Sequence, residues 1–230
     1  RVVREDKDRK GILYAGAESG FYISLNDGDK WIRPDSNLPV VPIYELRIKN
    51  DSLVVATHGR GFWSFNHRSL IQQLAAVGEA NSPTLFEPAP AVRRDGDWAE
   101  RNPPQGAVIQ YWLPEEAATL SLEIVDGEGA SVAVFEANSE DDALLQKTAG
   151  MHSFVWDLRY PNATIVPGVV TRGKTNVAPI AVPGLFAVRL TMNGDAQEKT
   201  LRLLPGPNVS ARQHELQGQF DFLVQVRDKI

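Results

Sequence analysis

Short apolar runs and dense turn signals alternate along the first third of the chain. Ile12 to Gly16 is an apolar run closed by Glu18-Ser19-Gly20, and Phe21 to Ser24 is a second. Asn26-Asp27-Gly28-Asp29 is a turn, followed by Trp31. Tyr44, Leu46 and Ile48 alternate with Glu45, Arg47 and Lys49, the period of a half-buried strand. Leu53 to Thr57 is continuous and apolar, Gly59 and Gly61 flank Arg60 in a bend, and Phe62 to Phe65 closes the series. Strands of this length with turn chemistry every ~8–12 residues predict an all-β unit. Read as one four-stranded sheet, it has about the size of a propeller blade. Leu70, Ile71, Leu74 and Val77 then predict a short helix over residues 68–78, stopped by Gly78.

The pattern changes after residue 83. Thr84 to Phe86 reads as a strand, and a loop rich in Pro, Gly and Asp runs from there to about residue 106. Alternation then resumes at Ile109-Tyr111-Leu113, Leu120-Leu122-Ile124, Val132 to Phe135, Phe154-Trp156-Leu158 and Phe186-Val188-Leu190-Met192. Asp126-Gly127 and Asn193-Gly194 are hairpin signals, the second leading into Lys199 to Leu203. About seven strands over residues 83–206 predict an immunoglobulin- or fibronectin-like β-sandwich with Trp156 pinning its core. Asn208 or Ser210 is positioned to cap a final helix carrying Leu216, Phe220, Leu223 and Val224. The organisation expected is therefore a blade over 1–66, a helix and linker over 67–82, a sandwich over 83–206 and a truncated helix over 207–230. The charged start at Arg1 and the stop at Ile230 within a helical pattern read as the ends of a fragment.

Composition narrows the function classes. The 230 residues carry a net charge of −5, which argues against a nucleic-acid binder driven by bulk charge. No apolar run reaches the ~18–20 residues of a membrane span. The absence of cysteine removes disulfides, thiolate metal sites and cysteine nucleophiles, and the 4 histidines show no metal-ligand spacing. No cofactor is expected.

Ser24-Leu25-Asn26-Asp27-Gly28-Asp29-Lys30-Trp31 resembles an Asp-box, the Ser-x-Asp-x-Gly-x-x-Trp signature of bacterial neuraminidase repeats, with Asn26 in place of the first Asp. Leu13 to Gly16 and Glu18 to Tyr22 fit the same repeat, and Ala56 to Trp63 resembles the closing blade of Asp-box propellers of the glycosyl hydrolase or sortilin-like type. Phe154 to Pro161 and Val182 to Phe186 resemble the sandwich that follows the propeller in those proteins. The resemblance implies a terminal blade whose upstream blades belong to the same protein, a structural role for the box residues Ser24, Asn26, Asp27, Gly28 and Trp31, and a secreted or periplasmic location. Asn26 or Asp27 would accept hydrogen bonds from the turn, Gly28 would permit a positive φ, and Trp31 would bury its ring.

Two further places suit a glycan or protein ligand. His58 and Arg60 sit in a glycine-rich bend, and Arg172 and Lys174 form a basic cluster in a long uncharged loop. The bland alternatives are loop hydrogen bonding for the first pair and a lid over the sandwich edge for the second. Glycosidase chemistry needs two carboxyl groups ~5–10 Å apart, and no motif here places such a pair, so no catalytic residue is assigned. The reading is a non-catalytic portion of a larger protein that supports structure and binds protein or glycan. The alternative is the end of a secreted glycoside hydrolase whose catalytic carboxylates lie upstream.

Overall fold

A computed structural model describes residues 1–34, 36–78, 81–93, 104–137, 145–163 and 178–229. The fold is mostly β-strand, with two helices. The chain divides into two compact units, Arg1–Glu79 and Ala80–Ile230. Among the described residues no helix is long and apolar enough to cross a membrane.

The first unit contains β1 (Val2–Glu5), β2 (Leu13–Ala17), β3 (Gly20–Ser24), β4 (Ile43–Lys49), β5 (Ser52–Thr57), β6 (Phe62–Phe65) and α1 (Arg68–Val77). These strands make two antiparallel three-stranded sheets, β1-β2-β3 and β4-β5-β6, so the single sheet expected from the sequence gives way to two. The extra strand is β1. Only Val2 and Val3 interrupt its charged run, too few for a period to show. A fourth line joins the first sheet where Ile23 and Ile32 bridge through two reciprocal backbone hydrogen bonds of 2.9 Å.

Side-chain alternation gives each sheet two faces. Val2, Tyr14, Phe21 and Ile23 of the first sheet share one buried cluster with Ile43, Leu46, Leu53 and Val55 of the second, and Ile71 of α1 joins it. Gly16 permits the close approach: a Cβ there would lie 2.6 Å from the Ile43 Cγ2 methyl. Phe21 reaches across to Phe65, with ring centroids 6.0 Å apart.

The two sheets are also register copies. Ala17 pairs with Gly20 as Thr57 closes on Gly61, and Phe21 opposes Gly16 as Phe62 opposes Ala56. Arg4 opposes Tyr14 as Arg47 opposes Val54. Leu13/Leu53, Gly20/Gly61, Phe21/Phe62 and Arg4/Arg47 are thus identical residues at equivalent places. The register, not the linear sequence, reveals this repeat, because the loops between strands differ in length.

The second unit contains β7 (Thr84–Leu85), β8 (Ala91–Val92), β9 (Ala107–Leu113), β10 (Leu120–Val125), β11 (Ser131–Glu136), β12 (Gly150–Trp156), β13 (Gly184–Met192), β14 (Asp195–Leu204) and α2 (Gln213–Arg227). Its sheets run β11-β10-β13-β14-β8 and β12-β9-β7. Both contribute to one buried cluster. Ala107, Ile109, Tyr111 and Leu113 supply it from β9, Leu122 and Ile124 from β10, and Val188 and Leu190 from β13. Trp156 is fully buried at the expected place, edge-on to Phe186 at 5.5 Å, and its indole N–H donates to the Arg159 carbonyl at 3.0 Å. Asn193 and Gly194 take φ of 51° and 93° in the hairpin between β13 and β14, the left-handed pair that a two-residue turn demands. β8 lies in the stretch read as loop; two residues pairing parallel with Leu203 and Leu204 leave no periodic trace in sequence.

The helices correct one detail. α1 spans the expected residues, and Asp51 supplies its cap by accepting from the Ser69 N–H at 2.6 Å. α2 is not capped by Asn208 or Ser210: its N-cap residue is Arg212, whose N–H donates to Glu215 at 2.6 Å.

Candidate functional site

The Asp-box corner is built without Asp27 as an acceptor. Ser24 Oγ takes the Gly28 N–H at 2.9 Å and donates to Asn26 Oδ1 at 3.0 Å, while Asn26 Oδ1 takes the Lys30 N–H at 2.9 Å. One side-chain oxygen thus serves two donors, a role an amide fills as well as a carboxylate, so Asn26 completes the corner. Asp27 instead adopts a left-handed φ of 57°, and its N–H donates to the Gly11 carbonyl at 2.8 Å. Gly28 carries φ 93° as expected. Trp31 departs from expectation: its ring lies over Gly28 but remains 39% exposed. The strand that would cover it is reduced to the single bridge at Ile32. Asp27 and Asp29 are exposed and do not converge with a third ligand; among the described residues no group of three metal-ligating side chains gathers.

His58 and Arg60 occupy an exposed bend between β5 and β6. Gly59 and Gly61 have φ of 77° and 69°, and Thr57 donates both its N–H and its hydroxyl to the Gly61 carbonyl. The His58 ring lies 5.1 Å from that of Tyr44, while Arg60 uses its carbonyl to accept the Trp63 indole N–H at 2.9 Å. The His58 ring thus rests on Tyr44, and the Arg60 backbone holds the loop. Arg172 and Lys174 lie outside the described residues.

The most elaborate polar constellation is one the sequence does not announce. The Asp6 side chain is fully buried, and its carboxylate accepts from Arg68 Nη1 at 2.7 and 2.8 Å and from the Tyr14 hydroxyl at 2.7 Å. It also accepts from the Gln72 amide at 2.8 Å and from the N–H groups of Asp8 and Arg9 at 2.9 and 3.0 Å. Arg68 Nη2 bonds Asp8 at 2.5 Å, and Arg9 reaches the Gln72 carbonyl. Burial pushes the Asp6 carboxyl up, but Arg68 and Tyr14, aided by Asp8 and Gln72, outweigh it and hold it down to about 2. Burial, then the bond to Asp6, drives the Tyr14 hydroxyl well above its usual value. With its acceptor sites filled by protein donors, Asp6 is a structural clasp between the β1–β2 connection and α1, not a base awaiting a substrate.

In the second unit, Asp157 and Arg159 meet through a hydrogen bond donated by the Arg159 backbone. Leu158 has φ 65°, which ends the alternation after Trp156. Asp157 accepts the Arg159 N–H at 3.0 Å, and the Arg159 guanidinium donates to the Ala178 carbonyl at 2.6 Å. A pocket of about 260 Å³ beside α2 is lined by Arg93, Arg159, Ile180, Gln219, Phe220 and Leu223.

No protein-family model and no curated protein matches the chain. Among solved structures it is similar to CopC from Methylosinus trichosporium OB3b, at 13% identity over 55% of this chain and 98% of that chain, with a TM-score of 0.28. A likeness at that score carries no argument about fold or chemistry.

Proposed function

We propose that the first unit is a pair of neighbouring Asp-box propeller blades, that the second is an immunoglobulin-like sandwich, and that together they form a non-catalytic scaffold within a larger protein. The observation that carries this reading is the repeated meander. Two sheets with equivalent registers pack face to face, and the Asp-box corner follows the third strand of the first. Stacked repeats of this kind bury their faces only against neighbours. The hydrogen bonding at the corner supports a structural role for the box, because Ser24 and Asn26 spend their acceptor capacity on the turn itself.

In this reading the scaffold supports binding of a protein or glycan, with upstream blades as its first partner, in a secreted or periplasmic setting. The test is made on the protein encoded by its uninterrupted reading frame. Incubated with a panel of polysaccharides, it should show saturable binding or none, and no release of reducing ends. Turnover would overturn the non-catalytic reading in favour of a glycoside hydrolase with its carboxylates upstream.

A further inference from the structure

The internal repeat says which side of the second sheet is unfinished. In the first sheet, Arg4, Tyr14, Gly16 and Phe21 share a face, and the second sheet packs on it. Phe21 is 3% exposed there, against Phe65. Arg4 reaches over to the edge of β4, donating to the Leu46 carbonyl at 3.3 Å and pairing with Glu45 at 2.5 Å. The equivalent face of the second sheet presents Arg47, Val54, Ala56 and Phe62. Phe62 is 82% exposed, and the Arg47 side chain is 74% exposed. The phenylalanine is buried in one copy and bare in the other; the arginine is tied to the neighbouring sheet in one copy, and in the other it reaches only Glu45 of its own strand, at 3.8 Å.

Burying a phenylalanine is worth about 1.5–3 kcal/mol, and an isolated phenylalanine on a sheet face has no structural duty. The pairing edge shows the same asymmetry. The free side of β3 is bridged by Ile32, whereas among the described residues nothing pairs with the free side of β6, Phe62–Phe65. This edge carries three aromatics and none of the Lys, Pro or bulge devices that blunt exposed edges.

From these observations, and resting on the blade reading above, we infer that the Arg47–Phe62 face is the seat of a further meander of the same protein, outside these 230 residues. The first contact defines its chemistry. It presents an apolar ring or branched side chain at the place of Phe65, to cover Phe62. It also presents a carboxylate at the place of Glu45 and an edge carbonyl at the place of Leu46, to receive Arg47. The interface is heterologous and propagates one sheet onto the next, unlike the self-complementary patch of a twofold dimer.

Because the chain has no cysteine, single thiols report this directly. Phe62→Cys and Arg47→Cys are introduced separately, with Val134→Cys on the exposed side of β11 as reference. Reaction with a thiol-specific disulfide reagent is followed under native conditions in the 230-residue chain and in the full reading-frame product. In the 230-residue chain all three thiols should react at similar rates. In the full product the first two should slow at least tenfold while Val134→Cys is unchanged. A rate for Phe62→Cys or Arg47→Cys in the full product equal to its rate in the 230-residue chain overturns the inference, whichever of the two variants folds. Slowing in the 230-residue chain that grows with protein concentration also overturns it, since a second copy is then the occupant. Polysaccharide turnover with both thiols protected sinks only the non-catalytic reading, and unprotected thiols without turnover sink only this interface.

Discussion

The two units solve the same problem, burying strands, in opposite ways. In the second, two sheets enclose a cluster of hydrophobic side chains, from Leu85 to Leu203, in which the Trp156 indole and the Tyr111 hydroxyl each donate to a backbone carbonyl, of Arg159 and Gln146. In the first, the cluster between the sheets is smaller, and a buried ion pair, Asp6–Arg68, sits at its margin and ties the β1–β2 connection to α1. The lesson concerns what each kind of glue demands. An apolar core tolerates imprecise neighbours at modest cost, whereas a buried charge is stable only while every partner stays in place. The second unit therefore gains stability from volume, and the first from geometry.

The comparison can be broken most forcefully at its two anchors. Asp6→Ala, leaving the Arg68 guanidinium buried without its main partner, should destabilise the first unit by about 3–5 kcal/mol. Trp156→Ala should cost the second about the same through its cavity. Hydrogen exchange followed peptide by peptide should place each loss in its own unit. Loss of protection in both units from either substitution would show that they fold as one body.

Close behind comes Gly16→Val, which places a side chain where even a Cβ would sit 2.6 Å from Ile43. Overpacking there should cost about 1–3 kcal/mol and loosen the first unit only, which a chemical-denaturation midpoint would register.

Acid sharpens the contrast. The folded Asp6 carboxyl lies at about 2, below its unfolded value, so its contribution is fully present above about pH 4 and is lost as pH falls toward 2. The first unit should weaken by about 2 kcal/mol across that window. Asp6→Asn should flatten the dependence, and a slope that survives this change would assign it to other carboxylates.

The smallest expected effect is at the corner. Asn26→Ala should cost about 1 kcal/mol by stranding the Lys30 N–H, while Asn26→Asp should be nearly neutral, since either oxygen accepts the same bonds. Thermal midpoints of the two variants distinguish these outcomes.

By itself the sequence determined what depends on neighbours along the chain. The Asp-box turn, the Asn193-Gly194 hairpin, α1 with its Gly78 stop, and the alternation that buries Ile109, Tyr111 and Trp156 are all encoded within a few residues. The corner residues Ser24, Asn26 and Gly28 were legible for the same reason; Trp31 was not, because its exposure depends on a fourth strand only one bridge long. Tertiary structure alone decided the rest. β1 and β8 are strands only because β2 and β14 pair with them. The two sheets of residues 2–65 pack closely because Gly16 lets Ile43 approach, and Asp6 meets Arg68 across 62 positions of sequence. A period can announce which side of a strand is apolar, but a charge buried by a distant partner looks, along the chain, like any solvated charge.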